Sequence, residues 1–135
     1  MFNLRHWFGK KSQSSSTNSH RSLDELIAVK DAIERVIALE KQRIVREYFD
    51  FVESVLNEDD RFTVMRSDTF VKCIALFSSL ELHLLEFYYA EGVGLCWKMY
   101  SLERQNFMIP SYRIKLDRSA IQMVAENLAI KSGAV

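Results

Sequence analysis

The longest uninterrupted pattern in the sequence is a helical one. Residues 22–56 contain neither glycine nor proline, and apolar side chains recur there every three or four positions. This spacing predicts one amphipathic helix over residues 22–57. Its apolar members are Leu26, Val29, Ile33, Ile37, Ile44, Tyr48, Phe51 and Val55.

A helix of this length is difficult to accommodate within one small domain. At 1.5 Å per residue it would be about 50 Å long, longer than a domain of 135 residues is wide. We therefore expect part of it to protrude, to pair with a second copy, or to break near residues 40–42. Pairing is the favoured interpretation: a homodimer through residues 22–56, with Ile37 and Ile44 at the interface.

Composition is that of one soluble domain. The chain is 48% hydrophobic and 27% charged, which is ordinary for a globular domain of this size. Its two cysteines are too few for a disulfide framework or a zinc site of their own, so a reducing compartment, the cytoplasm, is expected. No stretch of about 18 residues lacks charge, and no membrane-spanning helix is predicted.

Residues 1–21 are predicted to be a flexible, basic, Ser-rich tail. They include four cations and no acid; 18 basic residues less those four leave 14 against 18 acids in residues 22–135, a net charge of −4. The tail is interpreted as a disordered leader, an interfacial membrane anchor or a transit peptide. The anchor would use Phe2, Trp7, Phe8, Lys10 and Lys11.

The remaining elements give the predicted fold. Residues 61–66 are predicted as a strand, and residues 68–90 as one buried helix or two helices separated at Ser78–Ser79. Beyond them we expect a β-hairpin over 94–116 and a helix over 118–131. The predicted class is α+β, mainly helical, within a single domain over residues 22–135.

The segments "FYYAEGVGLCWKM" and "YRIKLDRSAI" resemble the end of the recognition helix, the wing and the trailing helix of bacterial winged-helix regulators. The resemblance covers residues 61–131 and implies nucleic-acid binding. The recognition helix would carry no Lys or Arg between Ser79 and Gly94, so binding would fall to the hairpin. Its cations are Lys98, Arg104, Arg113, Lys115 and Arg118, and the simpler explanation for them is a solvated face that happens to be basic.

Catalysis is not expected, nor is a metal or cofactor site. His83 has only Glu86 as a nearby candidate co-ligand, and Cys73 and Cys96 lack a neighbouring histidine or cationic cluster that would activate a thiol. No glycine-rich phosphate loop is present. These residues are expected to be structural.

Binding of another macromolecule is therefore the expected function. Tyr88 and Tyr89, with Glu86 beside them, are the predicted protein-docking residues, because consecutive aromatics cannot all face a core and tyrosine dominates interfaces. The leading hypothesis is a non-enzymatic homodimeric adaptor or regulatory protein. The alternatives are a winged-helix nucleic-acid binder and a peripheral membrane protein anchored through residues 2–11.

Overall fold

The computed structural model describes residues 19–104 and 108–134, with side chains from residue 22 onward. Two helices and five strands make up this part of the chain. They are α1 (Ser19–Asn57), β1 (Phe62–Arg66), β2 (Phe70–Ala75), β3 (His83–Ala90), β4 (Gly94–Ser101), β5 (Ser111–Arg113) and α2 (Arg118–Ser132). The chain divides between Lys41 and Gln42 into two compact units, although α1 continues through this point without a break.

The strands form one antiparallel sheet in the order of the sequence, β1-β2-β3-β4-β5. Each strand pairs with the next through a short connection, which is the simplest way to build a sheet without crossovers. The register places Lys72 opposite Glu86 and Glu86 opposite Lys98. Residues directly opposite each other point to the same side, so the register determines which side chains meet.

The core of the Gln42–Val135 unit lies between one face of the sheet and both helices. Val71 and Cys73 of β2 and Leu85 and Phe87 of β3 are at most 2% exposed and face this core. The helices contribute Phe49, Val52, Leu56, Ile121 and Leu128. Burying each large apolar side chain contributes roughly 1.5–3 kcal/mol, so this layer is the main source of stability.

Helix α2 is closed at both ends by its own sequence. Asp117 lies at the N-cap, where its carboxylate accepts a hydrogen bond of 3.3 Å from the Ala120 amide. Gly133 ends the helix in the left-handed region at φ 68°, as helix-terminating glycines do. The β2–β3 loop is attached there, since the Ser78 hydroxyl donates to the Ser132 carbonyl at 2.6 Å.

The structure corrects the predicted fold class in one segment. Residues 68–90 are strands β2 and β3 joined by a loop over 76–82, not one helix or two. The protein is therefore α+β but not mainly helical, and the winged-helix arrangement is wrong. The reason is physical: both faces of β2 and β3 carry apolar residues, so the two-residue period of a half-buried strand is absent from the sequence.

The other elements lie close to their predicted positions. The helices predicted over 22–57 and 118–131 are observed at Ser19–Asn57 and Arg118–Ser132. The strand predicted over 61–66 is β1, Phe62–Arg66. The predicted hairpin over 94–116 corresponds to β4 and the three-residue β5. Neither helix of the described residues is long and apolar enough to cross a membrane.

Candidate functional site

The principal candidate site is the face of the sheet that points away from the core, here called the open face. Within residues 42–134, both helical segments pack on the opposite face, as the core membership of Phe49 and Leu128 shows. The open face consists of alternate residues from all five strands. Its members are Thr63, Met65, Phe70, Lys72, Ile74, Leu84, Glu86, Tyr88, Cys96, Lys98, Tyr100, Ser111 and Arg113.

A charged row crosses the middle of the open face. Glu86 on β3 lies between Lys72 on β2 and Lys98 on β4, and both ammonium nitrogens are 3.6 Å from its carboxylate oxygens. The Glu86 side chain is 15% exposed and the lysines are 27% and 31% exposed. The three residues are direct cross-strand neighbours, and adjacent strands lie about 4.8 Å apart, so the strand pairing keeps their charged groups close together.

Aromatic side chains flank the charged row. On one side of the charged row the register places Phe70 opposite Tyr88. The same line across the sheet continues to Cys96 on β4 and Arg113 on β5. The Lys72 ammonium lies 4.1 Å from the Phe70 ring centroid and that of Lys98 lies 5.3 Å from the Tyr88 centroid. Each lysine is thus within cation–π distance of a ring as well as near Glu86.

Tyr100 lies on the other side of the charged row, opposite Leu84. Burial raises the pKa of its hydroxyl, and the charge and hydrogen bonding of Glu86 raise it further. Tyr100 therefore remains a neutral hydrogen-bond donor at physiological pH. A neutral phenol beside a carboxylate stabilises the position of Glu86 at the centre of the face.

Cations predicted for nucleic-acid binding separate into two groups. Lys98 and Arg113 lie on the open face, and in the described residues no carboxylate is within ion-pair distance of the exposed Arg113. Lys115 follows β5 and is also exposed. Arg104 instead pairs with Glu81 at 3.2 Å, and Arg118 pairs with Glu58, so each of these two already has a carboxylate partner.

Residues predicted for protein docking are similarly divided. Glu86 and Tyr88 lie on the open face, whereas Tyr89 points to the core side and packs against Tyr48 with ring centroids 6.4 Å apart. The alternation of a strand explains why neighbouring tyrosines face opposite ways. The predicted membrane-anchor residues Phe2, Trp7, Phe8, Lys10 and Lys11 lie outside the described residues, and that anchor remains a prediction.

A second surface lies on the first part of α1. It exposes large apolar side chains, each 49–66% accessible: Leu23, Leu26, Ile27, Val36, Ile37 and Leu39. Leu26, Val29, Ile33 and Ile37 recur at helical spacing on one side of α1 and are called the α1 stripe. Ile44 is half-buried.

The α1 stripe contains a small concavity. A cavity of about 320 Å³ is lined by Leu26, Val29, Lys30, Ile33 and Glu34, and Val29 within it is 5% exposed. Four of these residues follow the spacing i, i+3, i+4 and i+7, which is the outline of a hole that receives one side chain from a facing helix.

Cys73 and His83, two groups considered for chemistry, each have a defined environment in the fold. Burial raises the pKa of the Cys73 thiol to about 12, which keeps it protonated and unreactive. The His83 Nδ1 lies 2.9 Å from the Glu81 carbonyl. Among the described residues no three His, Cys, Asp or Glu side chains are grouped so that they hold a metal ion.

A concavity of about 590 Å³ in the Gln42–Val135 unit surrounds Arg61. Its guanidinium lies 2.7 Å from Asp59 and 2.6 Å from Glu126. Hydrogen bonding to Arg61 lowers the pKa of both carboxyl groups, and the same bonds raise the pKa of Arg61. Ion pairs thus join the segment just before β1 to α2, and the one cation and two carboxylates of this cluster have a net charge of −1.

Sequence reasoning missed Phe70 and Tyr100 as members of a site, and it placed Lys72 with Glu86 only as part of a polar row on a helix. The aromatic and β-branched residues of 70–75 and 83–90 could have indicated strands there, since such residues favour strands. No family model, no curated protein and no solved structure matches the chain. The surfaces themselves are therefore the basis for any functional inference.

Proposed function

We propose that this protein is a non-enzymatic interaction protein, an adaptor or regulatory protein, that acts as a homodimer through the α1 stripe. The observation that carries the proposal is the hole at Leu26, Val29, Lys30 and Ile33, bordered by exposed apolar side chains. Removing such side chains from water favours association. This interface is narrower than the one predicted over 22–56, since Phe49, Val52 and Leu56 belong to the core of their own unit.

A second copy is the occupant that fits this surface best. In a symmetric pair each copy presents the same hole and the same exposed apolar side chains, so one surface serves both partners.

The proposal also includes that the protein has no catalytic activity and that it is located in the cytoplasm. The protonated thiol of Cys73 and the pairing of Arg61 with Asp59 and Glu126 support a binding role over a chemical one. Cys73 and Cys96 are both free and buried, which is compatible with a reducing compartment.

The test compares two aspartate substitutions in α1. Ile37→Asp places a charge within the stripe, where exposure is 49%, and we expect it to give a monomer of about 15.8 kDa by sedimentation equilibrium. Leu39→Asp is the matched control. Leu39 is 66% exposed and lies about 200° further around the helix, so that variant should stay dimeric.

Helix content measured by circular dichroism separates loss of pairing from loss of structure. Equal masses for the two variants and the unmodified protein would overturn the role of the stripe. Loss of dimer in both variants would place the contact on another side of α1.

A further inference from the structure

We propose that the open face binds single-stranded nucleic acid, with bases stacked on Phe70 and Tyr88 and phosphates held by Lys72, Lys98 and Arg113. The site is distinct from the α1 stripe and does not require the dimer. Sheets with helices on one side and aromatic and basic residues on the other are suited to this ligand, because each base has a π-face and each nucleotide a phosphate.

The stacking surface follows from the register. Phe70 and Tyr88 are direct cross-strand partners, and Arg113 lies two strands beyond Tyr88 in the same row. A strand of nucleic acid that runs from β2 to β5 along this row therefore meets two rings, passes the buried Cys96 on β4, and then meets an exposed guanidinium. A duplex keeps its bases stacked on one another and cannot use such rings.

The charge of the open face is complementary to this ligand. The face has three cations, Lys72, Lys98 and Arg113, and one acid, Glu86. Residues 22–135 as a whole have 14 basic and 18 acidic side chains, a net charge of −4. Positive charge is thus concentrated on a face of an otherwise acidic body, which directs a polyanion to that face.

The lysines occupy positions from which they can change partners. Lys72 and Lys98 each lie over one of the two rings and 3.6 Å from Glu86, a distance longer than a good hydrogen bond. A base that stacks on the ring takes the position of the ammonium group. The displaced lysine then reaches the adjacent phosphate along its flexible stem.

Glu86 provides the discriminating prediction. Its carboxylate repels phosphate, so Glu86→Gln should strengthen binding of nucleic acid severalfold. A protein partner docked on the same face would instead present a cation to Glu86, and the substitution would weaken that complex. The sign of this one effect distinguishes the two classes of ligand.

The experiment measures fluorescence anisotropy of the full-length protein with labelled, mixed-sequence single strands of DNA and RNA, and with duplex DNA, at two salt concentrations. We expect single strands to bind more tightly than duplex. With three phosphate contacts the logarithm of the binding constant should fall with the logarithm of salt at a slope of about −2. Arg113→Ala should reduce that slope by about 0.7.

Aromatic substitution tests the stacking surface. Tyr88→Ala should weaken binding by roughly five- to a hundredfold, the range found for loss of one base–aromatic stack. Tyr112→Ala is the control, because Tyr112 is 50% exposed on β5 and packs on Trp97 on the other side of the sheet. Lys131→Ala, at the end of α2, is the control for loss of one positive charge.

Three results would overturn the proposal. They are no binding of single strands at low salt, equal affinity for duplex, and equal effects of Tyr88→Ala and Tyr112→Ala in folded variants. Arg113 is exposed on the edge strand, so Arg113→Ala keeps the test decisive even if Tyr88→Ala unfolds the protein. The mass of each variant shows whether the dimer is intact, so failure of one proposal is not mistaken for failure of the other.

Discussion

Two adjacent leucines provide the sharpest test of the fold around the open face. Leu85 is 0% exposed and lies in the core between the sheet and the helices. Leu84 is half-buried and points to the open face, opposite Tyr100. In a strand these neighbours occupy different environments, whereas in the helix that the sequence predicted they would lie about 100° apart on a mostly apolar surface.

The expected magnitudes differ clearly. Leu85→Ala removes a fully buried side chain and leaves a cavity, which destabilises a protein by about 2–5 kcal/mol. Leu84→Ala removes part of a solvated surface and should reduce the free energy of unfolding by about 1 kcal/mol, a fraction of the value for full burial. The two variants should therefore differ by about 2 kcal/mol.

Urea denaturation followed by circular dichroism measures this difference. For a slope of about 2 kcal/mol per molar urea, the unfolding midpoints of the two variants should be about 1 M apart. The unmodified protein supplies the reference. Equal midpoints for Leu84→Ala and Leu85→Ala would refute the strand assignment of residues 83–90 and, with it, the open face.

Two further predictions concern stability. Gly133→Ala should lower the melting temperature more than Gly92→Ala does. Both glycines have positive φ, but of the two only Gly133 is placed so that an added methyl group collides with side chains of the β2–β3 loop. Equal melting temperatures for the two variants would contradict this. Arg61→Gln should destabilise the protein at pH 7, and the difference from the unmodified protein should shrink as the pH falls below about 4. The reason is that Asp59 and Glu126, whose pKa values Arg61 lowers, stabilise the fold only while ionised; a difference that does not change with pH would argue against this linkage.

Helical periodicity made α1 and α2 predictable from sequence. Residues 22–56 have no breaker and a regular apolar spacing, and α2 is bounded by Asp117 and Gly133. These signals are local, and they correctly locate each helix within a few residues. The turn considered at Ser78–Ser79 also lies within a loop of the structure.

Strands β2 and β3 were not predictable in the same way. Lys72, His83 and Glu86 recur at a spacing that fits a helix, and Ile74 and Leu84 make the open side of the strands apolar as well. The side chains that lie next to these residues are determined by strand pairing across the sheet, which the local sequence does not specify. For the same reason the sequence assigned Tyr88 and Glu86 to a protein-docking site and Lys98 to a separate nucleic-acid site, although cross-strand pairing brings all three together on one face.

The molecular mass of the unmodified full-length protein is the most direct test of the proposed function. Sedimentation equilibrium over a dilution series from tens of micromolar downward measures it without any substitution. The α1 stripe predicts about twice the 15.8 kDa of one chain at the higher concentrations, with dissociation on dilution. A mass of 15.8 kDa throughout the series would contradict the homodimer and leave the open face as the remaining binding surface.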